Sequence, residues 1–240
     1  MFLVPATRAG ADDAIGKIVA LRGNAVIERD RKALEAKLKD GILLVDTVAT
    51  KEASKTKMLF IDDSILTVGE NTRLVIKEFV YSKEDRGRAI FNLLDGKMRS
   101  VVGKTNFEVH TPTVVAAARG TVIYFEVGME DGKKYTLVIA LDGEVMITSV
   151  DPTISGRVVL TPGMMITVKQ NEALPAPTHA PGEAVQAAAM TKEAARAKAE
   201  SLSNLKLAEA LKAATLAPKI QQLPVLKGTT PAVVGIKFPN

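Results

Sequence analysis

Acid–base chemistry in this chain would have to come from carboxylates. Its 240 residues hold 27 Asp and Glu, two histidines (His110 and His179) and no cysteine. Thiol nucleophiles, thiolate metal sites, disulfides and a cysteine-linked lipid anchor are excluded. A histidine-rich metal site lacks its ligands. Asp62-Asp63 and Glu130-Asp131 are paired acids, and paired oxygens can hold Ca²⁺. Two neighbours are too few ligands for that ion, and aspartate favours turns in its own right. The expectation is therefore no bound metal and no cofactor. Glu84-Asp85 lies in a charged stretch from Ser82 to Gly87 that reads as a solvated turn. His110 alternates out of phase with Phe107 and Val109, which puts it on the wet side of a strand. His179 sits among prolines, where no rigid scaffold would orient it. No phosphate-cradling glycine loop, His-Glu-x-x-His, EF-hand or Gly-x-Ser-x-Gly occurs. Aromatics make up 4% of the chain and tryptophan is absent, so nucleic acid has no stacking platform.

Arg119-Gly120-Thr121 is the candidate binding constellation. Arg119 presents a planar fork of donors suited to several carbonyls or one carboxylate. Gly120 can adopt a backbone conformation that a side chain disfavours. Pro112 and the small residues Ala116 to Ala118 just before it let the chain pass close to other backbone. In one reading Arg119 staples loop carbonyls inside the fold, because loop backbone needs partners. In the other it holds an anionic ligand or a partner's carboxylate. No residue is expected to be catalytic.

Strands and turns must position these groups. From Ile15 to Val168 the chain is β-branched and punctuated by four Asp-Gly pairs at 40–41, 95–96, 131–132 and 142–143, each a turn signal. Arg73–Lys77 places Leu74 and Ile76 on one side, and Asn106–His110 alternates Phe107 and Val109 inward with Glu108 outward. The longer apolar runs Thr121–Val127 and Tyr135–Ala140 read as strands covered on both faces. Leu34 and Leu38, four apart, suit a helical turn over 31–38, or a loop whose leucines plug the core edge. Leu94-Asp95-Gly96-Lys97-Met98 resembles Leu141-Asp142-Gly143-Glu144-Val145, which reads as two independent hairpin turns or a repeated hairpin. Met164-Met165 reads as core packing. The fold class is mostly β: a multi-stranded antiparallel β-sandwich or β-roll followed by a C-terminal α-helical segment.

Composition changes at the C-terminal end. Pro175, Pro177 and Pro181 favour an extended linker over 171–182. Glu183 to Leu216 is rich in Ala, Lys, Glu and Leu, strong helix formers, and begins with an acid that suits a helix N-terminus. Its leucines spread around the wheel, which argues against a committed coiled coil. Docking on the body or on a partner is left open. Residues 217–240 carry four prolines and read as extended or disordered. Residues 173–240 hold eight basic residues and four glutamates, so most of the +5 net charge belongs to the tail. A solvated helix face accounts for that charge, and attraction to an anionic surface is the alternative.

The body over about 15–168 resembles the FecR-like domain family. Ile15–Val19 and Leu21–Val26 are similar to its opening strands with Gly23 between them. Leu38–Leu43 with Asp46-Thr47-Val48 is similar to its leucine, glycine and threonine stretch. Met58–Leu66 is similar to its strand, acidic turn and strand. Leu93–Met98 and Leu141–Val145 are similar to its glycine steps. The most specific piece is Phe107–Thr121: strand, Thr-Pro, small apolar run, Arg-Gly-Thr. The resemblance implies a mostly extracytoplasmic domain, of a kind whose biochemical role is usually undefined when it stands free. In cell-surface signal transducers it accompanies a cytosolic anti-sigma region and a membrane helix, and neither is recognisable here.

Met1–Arg8 runs into Ala9-Gly10-Ala11 and then Asp12-Asp13, a small-x-small pattern before acids. The apolar run Phe2-Leu3-Val4 falls short of the roughly 7–15 residues of an export signal. The expectation is that residues 1–14 are the remnant of a longer signal peptide or a disordered N-terminus, and that the protein is periplasmic or otherwise exported. No stretch is apolar enough to span a bilayer. The expected function is a non-enzymatic binding or regulatory module of the bacterial envelope. It would meet a protein or glycan through strand edges and loops, with the basic tail as a second contact. Two other classes compete: an envelope protein that self-associates through its C-terminal helix, and an exported polysaccharide-acting enzyme using carboxylates. Scarce aromatics count against the enzyme.

Overall fold

The structure is a computed structural model and describes residues 14–82 and 87–189. Its strands are β1 (Gly16–Arg22), β2 (Ala25–Arg29), β3 (Lys32–Glu35), β4 (Gly41–Ile42), β5 (Thr47–Thr50), β6 (Lys55–Phe60), β7 (Ile65–Val68), β8 (Arg73–Val80), β9 (Arg88–Val101), β10 (Asn106–His110), β11 (Val114–Ala118), β12 (Val122–Glu130), β13 (Lys133–Asp142), β14 (Val145–Ser149), β15 (Arg157–Leu160), β16 (Met164–Lys169) and β17 (Thr178–His179). One helix, α1 (Gly182–Ala189), follows. The chain is mostly β, as its alternation implies.

The strands fall into two pairing networks that share β9. One runs β4-β1-β6-β7-β9-β12-β13-β16-β17. The other runs β3-β2-β5-β8-β9-β10-β11-β14-β15. All these pairings are antiparallel except β9 with β10, so the sheet is mixed. The N-terminal half of β9 pairs in the second network, and its C-terminal half, from Gly96, pairs in the first. Phe60 of the first network packs on Phe79 and Phe91 of the second, with ring centroids 5.5 and 5.3 Å apart, and Phe91 continues to Phe107 at 5.1 Å. Leu74, Ile76, Phe107 and Val109 are buried as expected, and each such side chain contributes about 1.5–3 kcal/mol of burial.

The Asp-Gly pairs do different jobs. Asp131-Gly132, both at positive φ, closes the tight β12–β13 hairpin. Asp95-Gly96 lies inside β9, where the strand passes between networks, and Asp142-Gly143 links β13 in one network to β14 in the other. The similarity of those two segments thus reflects a shared crossing step and not hairpins. Gly96 at φ +89 lies against Thr72, and Gly143 at φ +73 lies against Thr121. A side chain at either position would meet both backbone strain and a neighbouring threonine. At Asp40-Gly41 it is Lys39 that takes the positive φ.

The stretch read as a helical turn over 31–38 is instead β3, the second arm of a hairpin with β2 turned by Asp30 and Arg31 at positive φ. Leu34 and Leu38 are both exposed, so neither plugs the core. That turn lacks glycine, which hid it from the pattern. Asp46, in the stretch similar to the family's, is fully buried. It receives Nε and Nη2 of Arg29 at 2.8 and 2.7 Å and the Leu43 amide at 2.8 Å.

β12 and β13 are covered on both faces, as their continuous apolar runs imply. Ile123, Phe125, Val138 and Ala140 face the shared core, while Tyr124 and Ile139 meet Ala184 and Ala188 of α1. Glu183 stands in the first turn of that helix. The expected helix over 183–216 lies outside the described residues beyond 189, as do residues 1–13, Glu84-Asp85 and the tail 217–240. Within the stretch read as a linker, Thr178 and His179 pair with Met165 and Met164, so His179 does sit on a scaffold. Met164 packs toward the shared core and Met165 toward the α1 cluster.

Candidate binding face

The outward residues of β10, β11, β14 and β15 stand in register. Glu108, Ala117, Met146 and Val159 form one row across the four strands, and His110, Val115, Thr148 and Arg157 form the next. Alternation explains the sorting, because Val109, Ala116, Ile147 and Val158 turn toward the core. An open groove of about 680 Å³ runs over this face. Its floor includes Ala117, Met146 and Val159, and Arg119, Glu144 and Arg157 border it.

Arg119 is exposed in the turn between β11 and β12, and its Nε donates to Oδ1 of Asn106 at 2.8 Å. Its partner is thus a side chain on the same groove and not a loop carbonyl. Gly120 takes φ +57, and nothing lies within 4 Å of where a Cβ would stand. Thr121 is buried, packs against Gly143 and accepts the Val102 amide on its carbonyl at 2.8 Å. The three candidates therefore divide: Arg119 lines the groove, while Thr121 faces inward to the crossing step.

His110 Nε2 lies 3.1 Å from Oε2 of Glu108, and Arg88 Nη2 donates to both oxygens of Glu108 at 3.0 and 3.1 Å. Partial burial opposes ionisation of Glu108, but the hydrogen bonds from His110 and Arg88 outweigh it and hold the carboxyl below the usual glutamate range. The acid is thereby committed as a bound carboxylate.

The Thr111-Pro112-Thr113 corner is pinned by hydroxyls. Thr113 Oγ1 donates to Thr136 Oγ1, which donates to Thr111 Oγ1, both at 2.8 Å. Thr111 Oγ1 donates in turn to the Val114 carbonyl at 3.0 Å. This chain ties the β10–β11 corner to β13 and fixes the strands beneath the groove.

The paired acids are also engaged. Asp62 is fully buried and takes the Ser64 amide at 3.0 Å and the hydroxyls of Ser64 and Thr105 at 2.8 and 2.6 Å. Asp63 pairs with Lys104 at 2.6 Å and Glu130 with Lys169 at 2.7 Å. Glu126 accepts from Tyr124 and Tyr135 at 3.2 and 3.0 Å. Burial foremost, then the Glu126 charge and hydrogen bond, push the Tyr124 hydroxyl well above its ordinary pKa. Among the described residues no three His, Asp or Glu gather as a metal site, and no helix is long and apolar enough to cross a membrane.

Reading the sequence missed Arg88, Glu144, Met146, Arg157 and Val159. Alternation could have shown which way each points. The pairing of β11 with β14 joins residues about thirty apart, and that register has no local signal.

Residues 46–146 match the family model described as FecR protein, which takes in β10 and β11 of this face and stops at the start of β14. The pairing networks extend past both limits of that match, through β1–β4 before it and β15–β17 after it. Two crystal structures described as a putative anti-sigma factor from Parabacteroides distasonis are also similar. One is 14% identical with a TM-score of 0.49, over 60% of this chain and 64% of that one. The other is 14% identical with a TM-score of 0.48, over 59% and 63%. The chain thus spans less than two thirds of those proteins. No curated protein matches it.

Proposed function

We propose that this chain is a non-enzymatic contact module of the bacterial envelope, regulatory in role, that binds another protein through the outer face of β10, β11, β14 and β15. The observation that carries the reading is the groove itself. It joins an apolar floor, with Met146 and Val159 at 40% and 46% exposure, to bordering arginines, the mix of apolar centre and Arg anchors typical of protein interfaces. A protein suits it better than a glycan, because the one aromatic in its lining, Phe107, is buried and offers no face for a sugar. The carboxylates support binding over catalysis: Asp62, Glu108 and Glu126 are each held by neighbouring donors and do not converge on a reacting centre. Export to the periplasm belongs to the same reading, supported by the small-x-small pattern at 9–11. Cell fractionation tests it, since a wholly cytosolic protein would contradict export.

The test of the face is affinity capture from an envelope fraction with the full chain and with the pair Arg119→Glu and Met146→Asp. A partner protein retained by the parent and lost by the double variant is the expected result. Equal retention would remove this face from the account.

A further inference from the structure

The groove ends on β15, and that edge differs from the other three. β4 and β17 are two residues long, and Pro177 and Pro181 flank β17. β3 begins with Lys32, ends with Glu35 and is exposed throughout. Short length, proline and charge are the devices that stop a sheet edge recruiting a further strand. β15 pairs only with β14 among the described residues; it is four residues long and opens with Arg157, but its Val158-Val159-Leu160 run carries neither charge nor proline. The Arg157 side chain, at its start, has no hydrogen bond or ion pair to another described residue, whereas Glu108 on the same face is taken up by Arg88 and His110.

We infer that β15 is an acceptor edge for an extended acidic segment of the partner protein, which adds to the sheet as a further strand. Resting on the contact-face reading above, the inference supplies the mode of binding. Main-chain hydrogen bonds to β15 give the affinity. Because strand side chains alternate, two residues two apart on the added strand share the groove side. One lies beside Val159 and is apolar. The other lies beside Arg157 and carries a carboxylate, for which the guanidinium fork is the matching donor. A second copy of this chain fits less well: its own β15 would bring another arginine and no acid.

The probes are two fluorescent octapeptides, repeats of Thr-Val-Thr-Glu and of Thr-Val-Thr-Lys, titrated into the full chain. The glutamate peptide is expected to bind at least about tenfold more tightly than the lysine peptide, and Arg157→Glu to abolish that preference. Val158→Pro and Val159→Pro remove successive amides, one aimed at β14 and one at the free edge, and melting curves identify the variant whose ladder is intact. That folded variant is expected to lose binding, and Val159→Lys, an edge lysine, to weaken it. Equal binding of the two peptides, or unchanged binding by the folded proline variant, would overturn the inference. So would a dimer in light scattering that the proline variant abolishes. If envelope capture is lost with Met146→Asp yet kept by the folded proline variant, strand addition fails and the contact face stands. Capture kept by both variants sinks the face itself.

Discussion

Gly143 combines a left-handed backbone with the Thr121 methyl 2.6 Å from where a Cβ would stand. Gly143→Ala is therefore expected to lower stability by about 1–3 kcal/mol, read as a fall in melting temperature. Gly120→Ala meets open space and carries only the left-handed penalty, so it should cost about 1–2 kcal/mol and leave the fold intact. A larger loss at Gly120 than at Gly143 would contradict this division of roles. Glu108 gives the pH prediction. Its carboxyl is depressed in the folded state, so its stabilisation is present above the unfolded value of about 4.3 and disappears as pH falls through the lower folded value. Melting temperature followed from pH 7 to acid should fall less in Glu108→Gln than in the parent; identical profiles would contradict it. Arg119-Gly120-Thr121 stands out as a local pattern, and of the three only Arg119 borders the groove. Arg88 and Arg157 were not legible in the sequence, because only long-range register brings them to the same face.

The turn between β4 and β5 stores strain in an unexpected residue. Val45 takes φ +62 while exposed, a conformation that a β-branched side chain resists by about 1–2 kcal/mol. Val45→Asn is expected to raise the melting temperature, and a fall would mean that the Val45 side chain makes a stabilising contact. Elements were readable where one strand alternates by itself: β8 and β10 follow from Leu74, Ile76, Phe107 and Val109 alone. β12 and β13 were also readable, since their unbroken apolar runs match two covered faces. The reading failed where a turn lacked its usual residues. Asp30-Arg31 closes a hairpin without glycine, so Lys32–Glu35 took on a helical appearance from the spacing of two leucines that are both exposed. Asp95-Gly96 erred the other way, as a turn dipeptide used inside a strand that changes networks.

At the scale of the molecule, β9 makes one body of two pairing networks, with Phe91 packed between Phe60 and Phe107. Phe91→Ala is expected to cost about 3–5 kcal/mol, a large part of a stability of roughly 5–15 kcal/mol. Because the networks share that core, residues 14–189 should lose strand structure in one transition by circular dichroism and hydrogen exchange. Two separated transitions would mean that the networks fold independently. The mostly β architecture was legible from β-branched alternation and from the resemblance over Phe107–Thr121. The order of strands was not, since it rests on pairings between distant segments. The function proposed at this scale is contact through one face, and site-specific photo-crosslinking tests that most directly. A photoreactive residue is placed at Met146 in the groove, or at Leu34 on β3 as an equally exposed apolar control, and the full chain is irradiated with an envelope fraction. The account predicts a protein adduct from Met146 and none from Leu34. Adducts of equal yield from both positions, or from Leu34 alone, would contradict it.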